Sequence, residues 1–199
     1  MRMLEGFSGS GRLAQTFRNG GWEADTVDIK DGQDIMTWEP TEHYDYVHFA
    51  PPCQEYSQLS HPRWEQKYEA DPALWLRSDE LIRKIRPRFH TKENVKGAQQ
   101  VWGRAFYHYG PFFFWGYCPK IQVEIPWTTS LKGFKFDRVS MRARSDSRSA
   151  ESRAEYPQIL CDAIFLAVES GFLLEPNLSH YWGSKKNQFV EPSAQRSAP

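Results

Sequence analysis

Apolar residues along this chain fall into short blocks that are separated by glycines and polar turns. Residues 2–6, 24–29 and 45–50 form three such blocks, each the length of a strand. Between the first two, residues 12–18 carry a helical pattern that stops at a pair of glycines. A strand, a glycine turn and a helix in this order predict the opening unit of an α/β sheet.

A second group of elements is predicted further along the chain. A helix begins at Asp71 and ends before Pro87, and a strand follows over residues 88–92. That strand is unexpectedly polar, since a central parallel strand normally reads as a continuous apolar run. Residues 109–116 and 120–125 are predicted as two edge strands joined by a Cys-Pro turn.

The clearest helical pattern begins at Pro157 and has Gly171 as its predicted C-cap. Its apolar positions recur at spacings of three and four: Ile159, Leu160, Ala163, Ile164, Ala167 and Val168. Cys161 lies off this stripe and is predicted to be a structural residue. Residues 138–153 alternate arginine, serine and small side chains, and residues 183–199 are polar and predicted to be a disordered tail.

Composition narrows the class of protein. With 199 residues and 40% hydrophobic side chains, we expect one core and a single domain over residues 1–182. The 25 basic and 25 acidic side chains balance, so any nucleic-acid binding must come from a local patch. Three widely spaced cysteines and the lack of a long apolar run favour a soluble, cytoplasmic protein without a zinc pattern.

One cysteine lies just past the third predicted strand, in the run Pro51-Pro52-Cys53-Gln54. The two prolines fix φ and remove backbone donors, so they hold the residue that follows rigidly. A rigid and partly exposed thiol is what a nucleophile requires. Cys53 is therefore a candidate catalytic residue.

The glycine turn after the first strand is a candidate ligand site. It reads Phe7-Ser8-Gly9-Ser10-Gly11. Glycines at such a turn let the backbone approach a nucleotide, although an ordinary strand-to-helix turn gives the same pattern. Asp28, at the end of the second predicted strand, is placed to accept the hydroxyl protons of a ribose, and a solvated loop acid is the alternative.

Together with Glu93-Asn94-Val95, these two stretches resemble the motifs of DNA cytosine-5 methyltransferases, in the order found in that family. In the family, the Pro-Cys-Gln loop carries the nucleophile, the Phe-x-Gly-x-Gly turn binds S-adenosylmethionine, and the glutamate binds the target base. The resemblance implies a Rossmann-like α/β fold of S-adenosylmethionine-dependent methyltransferases. Its central sheet should be mostly parallel, flanked by helices, with an antiparallel edge.

The resemblance also implies two sets of site residues. The catalytic set is Cys53, Glu93, Asn94, Arg142 and Arg144. The two arginines match the family's arginine motif only in part, because the expected preceding glutamine is missing. The cofactor-binding set is Phe7, Ser8, Gly9, Ser10, Gly11, Asp28, Ile29, Asp34, Ile35 and Pro51. Within it, Asp34 is expected to face the adenine amino group.

The expected cofactor is S-adenosylmethionine and the expected substrate is duplex DNA with a flipped cytosine, with no metal and no membrane. Longer family members carry a recognition domain that residues 138–153 replace here in minimal form, so target recognition should be lax or supplied by a partner. Such a compact form suits the cytoplasm of a bacterial or phage-infected cell.

Three other functions stay open at the level of sequence. The same chemistry can act on RNA or on a free cytosine nucleotide. The chain can also be a catalytically silent DNA-binding relative, or a Rossmann-like protein in which the Pro-Cys-Gln run is accidental. Intact Cys53 and Glu93 argue against a silent relative, because such a protein has no chemical need for either side chain.

Overall fold

The computed structural model describes residues 1–54, 56, 71–125 and 155–174. Within these ranges the sheet contains β1 (Arg2–Gly6), β2 (Glu23–Val27), β3 (Tyr46–Phe49), β4 (Phe89–Asn94), β5 (Tyr107–Tyr109) and β6 (Phe112–Tyr117). The helices with defined bounds are α1 (Arg12–Asn19), α2 (Ala73–Ile85), α3 (Gln99–Trp102) and α4 (Gln158–Leu174). Short 3-10 turns span Ile29–Asp31 and Lys96–Ala98.

The strands lie in the order β2-β1-β3-β4-β6-β5. The pairs β1–β2, β1–β3 and β3–β4 are parallel, whereas β4–β6 and β5–β6 are antiparallel. The sheet is therefore mostly parallel with an antiparallel edge. This arrangement confirms the predicted Rossmann-like α/β class, because parallel neighbours joined by helices define it.

Hydrophobic cores lie on both faces of the sheet. On the first face, alternate strand residues such as Met3, Tyr46 and Phe114 pack against α1 and α4. On the second face, Leu4, Val47 and Phe49 pack against α2. Because side chains alternate along a strand, these two sets interleave in sequence. Burial on both sides explains why β1 and β3 read as nearly continuous apolar runs.

The polarity of β4 has a structural reason. Thr91 is buried on the first face, where its hydroxyl bonds to Tyr46 and His48. Lys92 is buried on the second face, where its ammonium group bonds to Asp79 on α2. Thr91 and Lys92 therefore each have a hydrogen-bond partner in the core, as buried polar groups require.

The sequence-based description of the sheet edge is wrong in two respects. Residues 120–125 form no strand, and residues 109–116 are not one strand. Instead, β5 and β6 form a hairpin that turns at Gly110, whose φ of 57° suits a glycine. Ile121 is buried in the first-face core without joining the sheet. Its burial accounts for the apolar pattern that resembled a strand.

Two predictions about the last helix are also wrong. Gly171 does not cap α4, which continues to Leu174. A Cβ added at Gly171 would lie 2.4 Å from Pro119 and 2.8 Å from Phe89, so a glycine is needed there for close packing. Cys161 is predicted to lie off the apolar stripe, yet it is fully buried in the first-face core, and this burial agrees with its predicted structural role.

Several predictions fall outside the described residues. They concern the segment 138–153 with Arg142 and Arg144, and the tail 183–199. In the described part of the chain, no helix is both long enough and apolar enough to cross a bilayer.

β2 ends at Val27, before the predicted end of that strand. The reason is that Asp28 caps the 3-10 turn, where its carboxylate accepts a hydrogen bond from the Lys30 amide.

Candidate functional site

The cysteine loop and Glu93 lie at the same edge of the sheet. β3 and β4 are parallel neighbours, and Phe49 is paired with Lys92. The chain that leaves β3 toward Cys53 therefore emerges beside the last two residues of β4, which are Glu93 and Asn94. The carboxyl edge of parallel strands is where α/β sheets bind their ligands.

Asn94 ties the end of β4 to the cysteine loop. Its Nδ2 donates to the Pro51 carbonyl at 3.0 Å, and its Oδ1 accepts from the Val95 amide at 2.9 Å. Asn94 is fully buried and Pro51 is buried as well, so this bond lies out of water. Breaking it would leave buried polar groups without a partner. Cys53, two residues beyond Pro51, is half-buried.

Glu93 carries a carboxyl group whose chemistry is altered by burial. Its Oε2 accepts a hydrogen bond from the Tyr156 hydroxyl at 3.1 Å. Burial raises the pKa of Glu93 to about 8, and the bond from Tyr156 opposes that rise only in part. Glu93 is therefore mainly a neutral carboxylic acid near neutral pH, which is able to donate a proton.

A chain of buried hydrogen bonds extends from Glu93 into the sheet. The Tyr156 hydroxyl lies 2.9 Å from His48 Nε2, and His48 Nδ1 lies 2.7 Å from Thr91 Oγ1. Thr91 Oγ1 in turn lies 2.6 Å from the hydroxyl of Tyr46. Burial lowers the pKa of His48 to about 3, so its imidazole is neutral.

Arg12 connects Tyr156 to the glycine turn. Arg12 is the first residue of α1, directly after Gly11, and its Nη1 donates to the Tyr156 carbonyl at 3.0 Å. Its Nη2 also pairs with the carboxylate of Glu155 at 2.6 Å. The segment that precedes α4 is therefore fixed to the turn at its backbone and to Glu93 at its side chain.

The glycine turn has an unusual backbone. Phe7, Gly9 and Gly11 all have left-handed conformations, with φ of 59°, 51° and 68°. Such a conformation at a non-glycine residue costs about 1–3 kcal/mol and is concentrated at functional sites. A Cβ added at Gly9 would find no atom within 4 Å, so the space over Gly9 is open to a ligand.

Asp28 lies against this turn. Its Oδ2 accepts from the Gly9 amide at 2.8 Å and its Oδ1 accepts from the Lys30 amide at 3.0 Å. Each carboxylate oxygen can accept a further hydrogen bond. The neighbouring Ile29 exposes 72% of its surface, a large apolar area beside the turn. The structure thus brings Asp28 and Ile29 together with the glycines.

Glu5 is an acid that the sequence did not single out. It lies on β1, is buried, and its Oε2 accepts from the Ala14 amide in the first turn of α1 at 2.8 Å. Burial raises the pKa of Glu5 to about 7. By bonding to an amide that has no partner within the helix, Glu5 fixes the start of α1 behind the glycine turn.

Asp34 and Ile35 differ in their surroundings. Asp34 is exposed, and its Oδ1 accepts from the Met36 amide at 2.9 Å. Ile35 is buried in the second-face core, beneath Gly6 of the first strand. The proposed contact of these two residues with the cofactor stays a prediction. The same holds for the roles assigned to the rest of the two sets.

The structure adds Tyr156, His48, Thr91 and Arg12 to the residues that the sequence predicted. One signal for them was available, since His48 and Thr91 are polar residues within otherwise buried strands. Tyr156 carried no such signal. Within the described ranges, no three histidine, cysteine or acidic side chains are grouped so as to hold a metal ion.

The chain is similar to solved structures over half of its length. No family model matches the chain, and no curated protein matches it. Among solved structures, half of the chain aligns with a DNA modification methyltransferase encoded within an E. coli prophage, at 19% identity and a TM-score of 0.39. Half also aligns with a mutant of DNMT2 from Spodoptera frugiperda, at 20% identity and a TM-score of 0.34.

These alignments cover 33% of the first structure and 37% of the second, so the chain spans about a third of the length of each. Similarity on this scale leaves the function of the chain to be inferred from its own residues.

Proposed function

We propose that this protein is an S-adenosylmethionine-dependent DNA cytosine-5 methyltransferase that acts through a covalent adduct of Cys53. One observation carries the proposal: Asn94 joins the Cys53 loop to the end of β4, where Glu93 is held as a neutral acid. A thiol and a protonated carboxyl at one sheet edge are the two groups that this reaction needs.

The residues near the glycine turn fit the cofactor. The open space over Gly9 accommodates a bulky ligand close to the backbone, and Asp28 offers carboxylate oxygens beside it. Exposed Ile29 supplies an apolar surface for a flat ring. When bound, S-adenosylmethionine supplies an electrophilic methyl group.

The carbon at C5 of cytosine is a poor nucleophile, and Cys53 provides the means to activate it. As its thiolate bonds to C6, the electron pair of the C5–C6 double bond is released into the ring. Glu93 donates a hydrogen bond or a proton to N3 and stabilises that charge, an effect typically worth about 10² to 10⁴ in rate. C5 then becomes electron-rich enough to take the methyl group.

Release of the product restores the thiol. A base takes the proton from C5, the electron pair re-forms the C5–C6 double bond, and the S–C6 bond breaks to give the Cys53 thiolate. None of the described residues is assigned to that base. Because C6 is inaccessible within a duplex, the target base must be flipped out, which costs a few kcal/mol.

Methyl transfer from labelled S-adenosylmethionine tests this function. Wild-type protein should label duplex DNA at cytosine C5, and Cys53→Ala should abolish labelling. Cys118→Ala is the matched control, since burial raises the pKa of that thiol to about 12 and makes it unreactive.

The same assay should include RNA and dCMP as substrates. Labelling of RNA alone or of dCMP alone would show that the labelled molecule, and not DNA, is the substrate. Labelling that persists in Cys53→Ala would refute the assigned nucleophile. Failure to label any of the three substrates would favour a catalytically silent protein.

A further inference from the structure

The chain of hydrogen bonds behind Glu93 can be assigned a direction by counting its protons. It has four contacts: Tyr46–Thr91, Thr91–His48, His48–Tyr156 and Tyr156–Glu93. Tyr46, Thr91 and Tyr156 each bring one hydroxyl proton, and neutral His48 brings one ring proton. Leaving aside the proton of Glu93 itself, four protons serve four contacts when every donor points toward Glu93.

In that direction each group has the role its chemistry allows. Tyr46 donates to Thr91, Thr91 donates to His48 Nδ1, and His48 Nε2 donates to Tyr156. Tyr156 then donates to Oε2 of Glu93, the oxygen that it contacts at 3.1 Å. The tautomer of His48 follows from the network, with the proton on Nε2 and the lone pair on Nδ1.

The opposite direction leaves a proton without an acceptor. If Oε2 of Glu93 were the protonated oxygen and donated to Tyr156, reversal of every bond in the chain would make Thr91 donate to Tyr46. Among the described residues, Thr91 is the hydrogen-bond partner of the Tyr46 hydroxyl, and Tyr46 is fully buried. The Tyr46 proton would then lie unsatisfied in the core, a penalty of roughly 1–3 kcal/mol.

Packing holds the side chain of Tyr156 in place. The ring of Phe112 lies edge-on to that of Tyr156 with centroids 5.0 Å apart, and His48 meets it at 5.7 Å. The bond from Arg12 to the Tyr156 carbonyl fixes the backbone of the same residue. The hydroxyl oxygen of Tyr156 is therefore held between His48 and Glu93, and the hydrogen-bond network sets the direction of its proton.

We propose that Tyr156 is a positioning residue, which keeps Oε2 of Glu93 an acceptor and so places the acidic proton on Oε1. The catalytic role of Tyr156 in this proposal rests on the proposed function, because it requires that the proton on Oε1 reaches N3 of a bound cytosine. The hydrogen-bond direction itself is independent of any substrate.

Nuclear magnetic resonance of the histidine ring tests the direction. In ¹⁵N-labelled protein at neutral pH, His48 should show one neutral tautomer, with a protonated Nε2 and an unprotonated Nδ1. Its signals are assigned by their loss in His48→Gln. A proton on Nδ1 would overturn the proposal. In Tyr156→Phe, Nε2 loses its acceptor, and the single tautomer should give way to a mixture.

Steady-state kinetics test the catalytic role of Tyr156. Tyr156→Phe should lower kcat about tenfold or more, because a positioned acid typically raises the rate by a factor of about 10² to 10⁴ and the variant should lose part of that factor. The KM values for DNA and cofactor should not change. Tyr44→Phe is the matched control, because Tyr44 also donates to a carboxylate, Asp25, at 3.0 Å. That variant should keep the wild-type kcat.

The two experiments separate two kinds of failure. If wild-type protein transfers no methyl group while His48 carries its proton on Nε2, the proposed function is wrong and the hydrogen-bond direction stands. If methyl transfer occurs but Tyr156→Phe keeps the wild-type kcat, the positioning role is wrong. If His48 carries its proton on Nδ1, the direction is wrong whatever the activity.

Discussion

Lys92 and Glu93 are consecutive residues of β4, and both carry ionisable groups into poorly hydrated surroundings. Lys92 points to the second face, where its ammonium bonds to Asp79 and lies 3.9 Å from the centre of the Trp75 ring. Glu93 points to the first face, where its described partner is the neutral hydroxyl of Tyr156. The two residues thus differ in the charge of their partners.

That difference separates a structural group from a reactive one. Burial lowers the pKa of Lys92 to about 8 and Asp79 opposes the shift, so the amine keeps its proton near neutral pH and the pair stays ionic. Burial raises the pKa of Glu93 to about 8, and none of the described residues provides a cation that offsets the shift. A part-buried acid whose described partner is a neutral donor suits proton chemistry, whereas a paired charge serves the fold.

The largest expected effect is on catalysis. Glu93→Gln keeps the shape of the side chain but removes the acidic proton, so methyl transfer should fall by about 10² to 10⁴. Circular dichroism should show an unchanged fold. In contrast, Lys92→Met should leave the rate per folded molecule within a few-fold of wild type. Equal losses in the two variants would erase the distinction between the two residues.

The next effect is on stability. Asp79→Asn removes the partner of Lys92 and leaves a buried ammonium without its opposite charge, which should lower the free energy of unfolding by roughly 3 kcal/mol. The double variant Asp79→Asn with Lys92→Met should recover most of that loss in urea titrations, since neither charge remains. A double variant as unstable as Asp79→Asn alone would show that the pair is not coupled.

A smaller effect concerns pH and stability. The pKa of Glu93 is higher in the folded protein, about 8 against 4.5, so the folded state binds a proton more tightly and loses stability as pH rises through that window. Glu93→Gln removes this loss and should be more stable than wild type at about pH 9, by roughly 1–3 kcal/mol. Glu124→Gln, at an exposed position, serves as the control.

The smallest effect is on the pH profile of the reaction. If protonated Glu93 is required, kcat should decline as pH rises through about 8, where Glu93 loses its proton. The residual activity of Glu93→Gln should lack that declining limb. If kcat of Glu93→Gln also declines as pH rises through about 8, the decline must come from the titration of another group.

Much of the fold could be predicted because the first half of the chain follows simple patterns. β1, α1 and β3 are short elements whose apolar residues are buried on both faces or against the sheet. The sheet edge could not be predicted in this way. Ile121 is buried without joining the sheet, and Gly110 turns the chain within a run of aromatic residues.

The candidate site was predictable where short motifs carry it and not where distant segments meet. Cys53, Glu93 and the glycine turn lie in recognisable local sequences. Tyr156 is separated in sequence by 63 residues from Glu93 and by 108 residues from His48, and it contacts both. No local sequence pattern can indicate contacts over such separations. Gly171 gave a false signal, because a glycine needed for close packing against Phe89 looks the same in sequence as a C-cap.

A covalent trap tests the central claim most directly, namely that Cys53 and Glu93 act on one cytosine. Duplex DNA containing 5-fluorocytosine blocks the final loss of the C5 substituent, so with S-adenosylmethionine present the adduct should persist. Peptide mass spectrometry should place the DNA on Cys53, and the adduct should form far more slowly in Glu93→Gln. An adduct on another residue, or methyl transfer to DNA without any trapped adduct, would contradict the account.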